Sequence, residues 1–138
     1  MKAIKAVLFV LALIVSGSAA ARDAEPLVKI SEVAVAKATN KTLSIKQVKQ
    51  AIRTAAEGKK WSLIEQPGAA MLGTLSWRDG FHSISVEITW SAKNYSINYH
   101  DSKNMKYVEV DGLASIHPYY NRYVIELSDA IKDELARF

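Results

Sequence analysis

Cysteine is absent from the 138-residue chain, which excludes disulfide frameworks, thiolate metal centres, cysteine nucleophiles and a lipid attached through an N-terminal cysteine. Glycine and proline are scarce, at 6 and 3, so neither a collagen-like fibre nor a low-complexity linker fits. Charge of one sign is not in strong excess either, since 18 Lys and Arg stand against 14 Asp and Glu. With 49% hydrophobic residues and the charges scattered among them, the composition describes one packed domain rather than a disordered chain.

The start of the chain reads as an address. Lys2 and Lys5 precede Ala6 to Val15, ten residues without a charge, and then come Ser16, Gly17, Ser18, Ala19, Ala20 and Ala21. A basic n-region, a short apolar run and small residues before a cleavage point make a secretory signal peptide of residues 1 to 21. The run falls short of the roughly 20 apolar residues a membrane span needs, and no transmembrane segment is expected once the signal is removed. Ala19 and Ala21 best fit the peptidase rule, with cleavage before Arg22. Removing Lys2 and Lys5 lowers the net charge from +4 to +2. A periplasmic or secreted protein is expected, and nucleic acid is not implied as a partner.

Residues 22 to 43 read as an extended or partly flexible segment. Leu27, Val28, Ile30, Val33 and Val35 could form an edge strand, while Pro26 and the polar stretch that follows suit a tether; both outcomes stay open here. From Ser44 the signal sharpens. Ser44 with Gln47 three residues on is a capping box, and Ile45, Val48, Ile52 and Ala55 recur at helical spacing. The pattern predicts an amphipathic helix over 45–57, with Gly58 as its stop.

The period then changes to two. Met71, Gly73, Leu75 and Trp77 alternate with polar residues, as do Ile84, Val86, Ile88 and Trp90, which predicts strands with one buried face. Asp79-Gly80 between them suits a type I′ hairpin turn. That turn sets Trp77 opposite His82, Leu75 opposite Ile84, Gly73 opposite Val86 and Met71 opposite Ile88. A four-residue loop, Ser91 to Asn94, then sets Trp90 opposite Tyr95, Ile88 opposite Ile97 and Val86 opposite Tyr99. Both turns place the apolar residues on the same side, and a one-residue slip would invert every one of them. The same register pairs Thr89 with Ser96, Glu87 with Asn98 and Ser85 with His100 on the polar side. A further strand, 60 to 65, brings Trp61 and Leu63 to the apolar face if the Pro67-Gly68 loop has an odd number of residues. After a loop containing Asp111-Gly112, Pro118 suits a first helical position, and Tyr120, Val124, Leu127, Ile131 and Leu135 predict a second helix over 118–135. The expected fold is α+β and two-layered: a four-stranded antiparallel meander with an N-terminal and a C-terminal helix on one face, forming a single domain from 44 to 138.

The string His82, Val86, Ile88, Tyr95-Ser96-Ile97-x-Tyr99, Ser102, Tyr107 and Ile116-His117-x-x-Tyr120-Asn121-x-x-Val124, followed by Leu127 and Ile131, resembles a family of small uncharacterised secreted proteins and lipoproteins of Gram-negative bacteria. The resemblance covers about two thirds of the mature chain of about 117 residues. It implies an envelope location and transfers no catalytic residue. Two departures stand out: the lipobox cysteine of many relatives is absent, and Tyr123 occupies the position where an aromatic such as Trp is expected.

Two surfaces are candidates for function. Lys29 to Lys60 holds eight basic residues against Glu32 and Glu57, and Lys46, Lys49 and Arg53 fall on one side of the first predicted helix, where they would attract lipopolysaccharide, another anionic lipid or an acidic envelope protein. The polar sheet face offers Ser85, Glu87, Asn98 and His100. Ser85, His100 and Glu87 supply the residue types of a small periplasmic hydrolase, but nothing in the sequence marks an oxyanion hole or a water-excluding pocket. The three histidines lack a metal-binding spacing; His117 is expected to cap the last helix and His82 to stack near Trp77. No cofactor or metal is implied. The expected function is a non-enzymatic binding or interaction module, with the hydrolase as the alternative.

Overall fold

The computed structural model describes residues 24 to 138, so the expected signal peptide lies outside the described residues. The fold is α+β with antiparallel sheets, but eight strands form two sheets in place of a single four-stranded meander. The meander itself is present. β3 (Ser62–Gln66), β4 (Ala70–Trp77), β5 (His82–Trp90) and β6 (Asn94–Lys103) lie side by side in chain order. A fifth strand, β2 (Ile30–Ala34), joins the free edge of β6, with Ile30 opposite Ile97 and Val33 opposite Tyr95. The edge-strand option for the N-terminal segment is the one realised, and the chain continues into a short helix, α1 (Val35–Thr39).

The register follows the turn argument through most of the sheet. Trp77 faces His82, Leu75 faces Ile84, Gly73 faces Val86 and Met71 faces Ile88. Asp79 and Gly80 hold φ of 54° and 82°, the positive values that a type I′ turn demands. Trp90 faces Tyr95, Ile88 faces Ile97 and Val86 faces Tyr99. Gln66 pairs with Ala70 across residues 67 to 69, an odd loop, and Leu63 therefore faces Gly73 on the apolar side. A Cβ on Gly73 would lie 3.4 Å from the Trp61 indole, so the missing side chain makes room for that ring.

One pairing differs. The register shifts between Ser85 and Val86, and Ser85 faces Asp101, not His100, which is the extra residue of a β-bulge. Strict alternation beyond Tyr99 would turn Asp101 and Lys103 toward the apolar layer. One added residue puts both on the polar side and lets Ser102 turn inward, where its hydroxyl meets the Tyr99 hydroxyl at 2.8 Å.

Helix α2 (Ile45–Gly58) begins with the expected capping box, the Gln47 amide donating to Ser44 Oγ at 3.1 Å and the Ser44 amide to Gln47 Oε1 at 2.9 Å. Its end is not the glycine stop that the sequence suggested. Gly58 is the last helical residue, and Lys60 takes the left-handed conformation at φ 70°. The Trp61 amide reaches back to Ala56 O and the Lys60 amide to Glu57 O, the two bonds of a Schellman motif with Lys60 at the position glycine usually fills.

The second sheet is built from β1 (Glu25–Pro26), β8 (Leu113–Ile116) and β7 (Val108–Val110), in that order. The segment read as a loop is thus a small hairpin, with Asp111 and Gly112 at φ 52° and 76°. Helix α3 (Pro118–Leu135) has Pro118 at its start, and His117 Nδ1 accepts the Tyr119 amide at 3.1 Å. α2 and α3 pack against each other and cover the apolar sheet face. Val48, Ile52, Ile84, Val86, Ile88, Tyr95, Tyr120, Val124 and Leu127 are all fully buried there, the aliphatic ones each contributing about 1.5–3 kcal/mol of transfer free energy. Among the described residues no helix is long and apolar enough to cross a membrane.

Candidate functional site

Two cavities adjoin where the β4–β5 hairpin meets the start of α3. The larger, about 330 Å³, lies among Trp77, Arg78, His82, Met105, His117, Tyr119, Arg122 and Tyr123. The smaller, about 180 Å³, lies among Lys59, Lys60, Trp61, Leu75, Ser76, Trp77, Tyr123 and Glu126. Trp77 and Tyr123 belong to both, so the two form one groove.

The groove has a wall of aromatic rings that touch in succession. The hairpin register puts Trp77 beside His82, and their rings stack with centroids 5.4 Å apart and planes within 20°. Phe81 meets His82 edge-on at 4.8 Å. On the other side of Trp77 stands Tyr123 at 5.1 Å, then Tyr119 at 6.2 Å, then His117 at 4.6 Å. Tyr119 and Tyr123 are four residues apart on α3 and so share a helix face. Residues from three separate parts of the chain thus make one continuous surface.

Hydrogen bonds fix the two imidazoles differently. His82 Nδ1 lies 3.0 Å from the carbonyl oxygen of Asn104; a carbonyl can only accept, so Nδ1 carries the proton and neutral His82 keeps Nε2 as an acceptor. His117 Nδ1 accepts the Tyr119 amide, so neutral His117 carries its proton on Nε2, a donor. Asn104 also donates from Nδ2 to Phe81 O at 2.7 Å, which clamps the hairpin end against the loop after β6.

The charge around the groove is positive. Lys59, Lys60, Arg78 and Arg122 line it against one carboxylate, Glu126, which is itself 3.3 Å from Arg122. Arg78 is held at φ 52°, immediately before Asp79 and Gly80, a backbone conformation that an arginine adopts only at an energetic cost.

The residues singled out in the sequence are placed elsewhere. Lys49 lies 2.8 Å and Arg53 2.5 Å from Glu65 Oε1, and Arg53 also reaches Glu57 at 3.6 Å. The hydrogen bond from Lys49 and its charge, with Arg53 beside it, hold the Glu65 carboxyl below its ordinary value. Lys46, Lys49 and Arg53 therefore share a shallow groove with Glu57 and Glu65, and two of the three cations already have carboxylate partners. Ser85 Oγ is 2.9 Å from Thr74 Oγ1 on the polar sheet face. Glu87 faces Asn98 there, and His100 is exposed on the bulge. The bulge leaves Ser85, Glu87 and His100 without the cross-strand pairing on which the hydrolase reading stood. His82 and His117 fulfil their expected stacking and capping roles, and sequence reasoning missed that these roles bring them to the same cavity. Arg78 beside the Asp79-Gly80 turn was the available signal. Among the described residues no three His, Cys, Asp or Glu side chains gather into a metal-binding group.

Comparison of the chain with protein-family profiles, with curated proteins and with solved structures finds no match.

Proposed function

We propose that the chain is an exported, non-enzymatic binding module of the bacterial envelope, and that it takes an anionic envelope component in the groove between the β4–β5 hairpin and α3. One observation carries this reading: four cationic side chains and an unbroken aromatic wall surround a concave site whose single carboxylate is already paired with Arg122. Arg78 and Arg122 line the more polar of the two cavities and offer forked, charge-assisted hydrogen bonds to an anion, while the aromatic rings shared with the neighbouring cavity supply apolar surface beside them. The signal peptide and the envelope resemblance supply the location. The basic side of α2 is the weaker candidate, because two carboxylates, Glu57 and Glu65, stand among its three cations, against the one, Glu126, among four in the groove.

The test is binding of the purified protein to anionic and to neutral phospholipid vesicles at 0.1 M and 1 M salt, where the Debye length shrinks from about 10 Å to about 3 Å. Binding to anionic vesicles only, weakened at high salt and lost in an Arg78→Glu, Arg122→Glu double variant, is the expected outcome. Loss instead in a Lys46, Lys49, Arg53 triple Glu variant, with the double variant unaffected, would move the site to α2.

A further inference from the structure

We infer that the ligand of this groove is a phosphorylated hexose, either free or as the headgroup of a glycolipid. The inference deepens the reading above and rests on it. The phosphate goes to Arg78 and Arg122, whose planar forks match its oxygens and which line the same cavity of about 330 Å³, a volume at the lower end of small-ligand sites.

The sugar follows from what surrounds those arginines. A bare phosphate accepts hydrogen bonds and, when fully ionised, donates none, so a site for phosphate alone needs only donors. This cavity presents both kinds of group. With Nδ1–H held by the Asn104 carbonyl, the neutral form of His82 has Nε2 as an acceptor, whereas His117, whose Nδ1 accepts the Tyr119 amide, has Nε2 as a donor. Hydroxyl groups, which donate and accept, satisfy both. The remaining wall is Met105 and three aromatic rings, Trp77, Tyr119 and Tyr123, with Tyr123 in contact with each of the other two. Ring faces carry the negative end of a quadrupole and favour the C–H face of a pyranose over a second anionic group.

The backbone points the same way. Among the described residues, Glu32, Lys60, Arg78 and Lys106 are the only side chains other than Asn and Asp at positive φ, and Lys60 and Arg78 are two of the groove's four cations. Glycine would serve both turns without steric cost. A cation held where glycine fits better is what a binding role at the expense of stability produces.

The experiment is calorimetric titration of the purified protein with glucose 1-phosphate, glucose and inorganic phosphate, beside sedimentation with neutral vesicles carrying lipopolysaccharide or its dephosphorylated form. We expect glucose 1-phosphate or the phosphorylated vesicles to bind at least tenfold more tightly than glucose, phosphate or the dephosphorylated vesicles. Binding of the vesicles alone assigns the headgroup as source, and binding of the soluble sugar phosphate alone assigns a free one. Arg78→Gly should weaken that binding at least tenfold while raising the thermal midpoint, a pairing that a merely structural role would not produce. Phosphate binding as tightly as glucose 1-phosphate, glucose binding equally well, or full affinity in Arg78→Gly would overturn the assignment. Anionic vesicles bound through Arg78 and Arg122 with no preference for phosphohexose would refute this inference and leave the reading above intact, whereas absence of binding in every arm refutes both.

Discussion

Asn121 on α3 accepts the backbone N–H of Val28 at 2.8 Å, across 93 residues of chain. Its Nδ2 donates to Pro26 O at 2.8 Å and to Glu25 Oε1 at 2.9 Å, so one side chain, only 7% exposed, holds the first described residues onto the last helix. Asn121→Leu removes these bonds and leaves the Val28 amide and the Pro26 carbonyl short of partners, a loss of about 1–3 kcal/mol. Urea denaturation should show that loss, and limited proteolysis should cut the variant near residues 25 to 30 where the wild type resists. Unchanged stability and protection would mean that the N-terminal segment is held by its strand pairing alone.

Two buried tyrosines make a matched pair. Tyr95 Oη sits 2.7 Å from Ser128 Oγ, whereas Tyr120 Oη is buried without a partner. Removing a bonded hydroxyl costs about 1 kcal/mol, and removing an unsatisfied one costs nothing or stabilises. Tyr95→Phe should therefore lower the denaturation midpoint, and Tyr120→Phe should leave it unchanged or raise it. The opposite order would contradict the hydrogen-bond assignment.

Lys60 occupies the left-handed position that closes α2. Relief of its backbone strain by Lys60→Gly, about 1–2 kcal/mol, is partly offset by the greater entropy of glycine in the unfolded chain, about 0.5–1 kcal/mol. A net gain of about 0 to 1.5 kcal/mol is expected from those two figures. Thermal unfolding of the variant measures it, and a lower midpoint would show that the lysine side chain contributes more to the fold than its backbone costs.

Stability should fall at both ends of the pH scale. Glu65 is held below its ordinary 4.5, first by the hydrogen bond from Lys49; a depressed carboxyl stabilises above the unfolded value, and that contribution disappears as pH falls through the lower folded value. Burial raises Tyr95, Tyr99 and Tyr120 above 10.0, so their contribution is whole below pH 10 and is lost as pH climbs toward the folded values. Urea midpoints across pH should show the acid limb flattened in Glu65→Gln and the alkaline limb in Tyr120→Phe. Limbs identical to wild type would assign the pH dependence to other groups.

The central part of the sheet was legible because two turns fixed one register independently. Asp79-Gly80 and the Ser91–Asn94 loop each demanded a pairing, and alternation confirmed both. The bulge at His100 was less visible, although Asp101 and Lys103 already stood at positions that strict alternation would bury. Asp111-Gly112 carried the same turn signal as Asp79-Gly80, but its strands of 3 and 4 residues are too short to show a period. The edge strand from Ile30 and the Asn121 clamp depend on partners 60 or more residues away, which no local pattern encodes. The groove was hidden for the same reason. His82 and His117 were each read in their local roles, and only the packing of α3 across the sheet brings them to one cavity.

The most direct check is a map of amide chemical-shift changes when the isotope-labelled protein is titrated with a soluble phosphorylated sugar or with anionic, lipopolysaccharide-bearing nanodiscs. The largest changes are expected at Arg78, His82, Tyr119 and Arg122, with Lys46, Lys49 and Arg53 little affected. Largest changes on α2 or on the Ser85 and Glu87 face, with the groove silent, would contradict the proposed site.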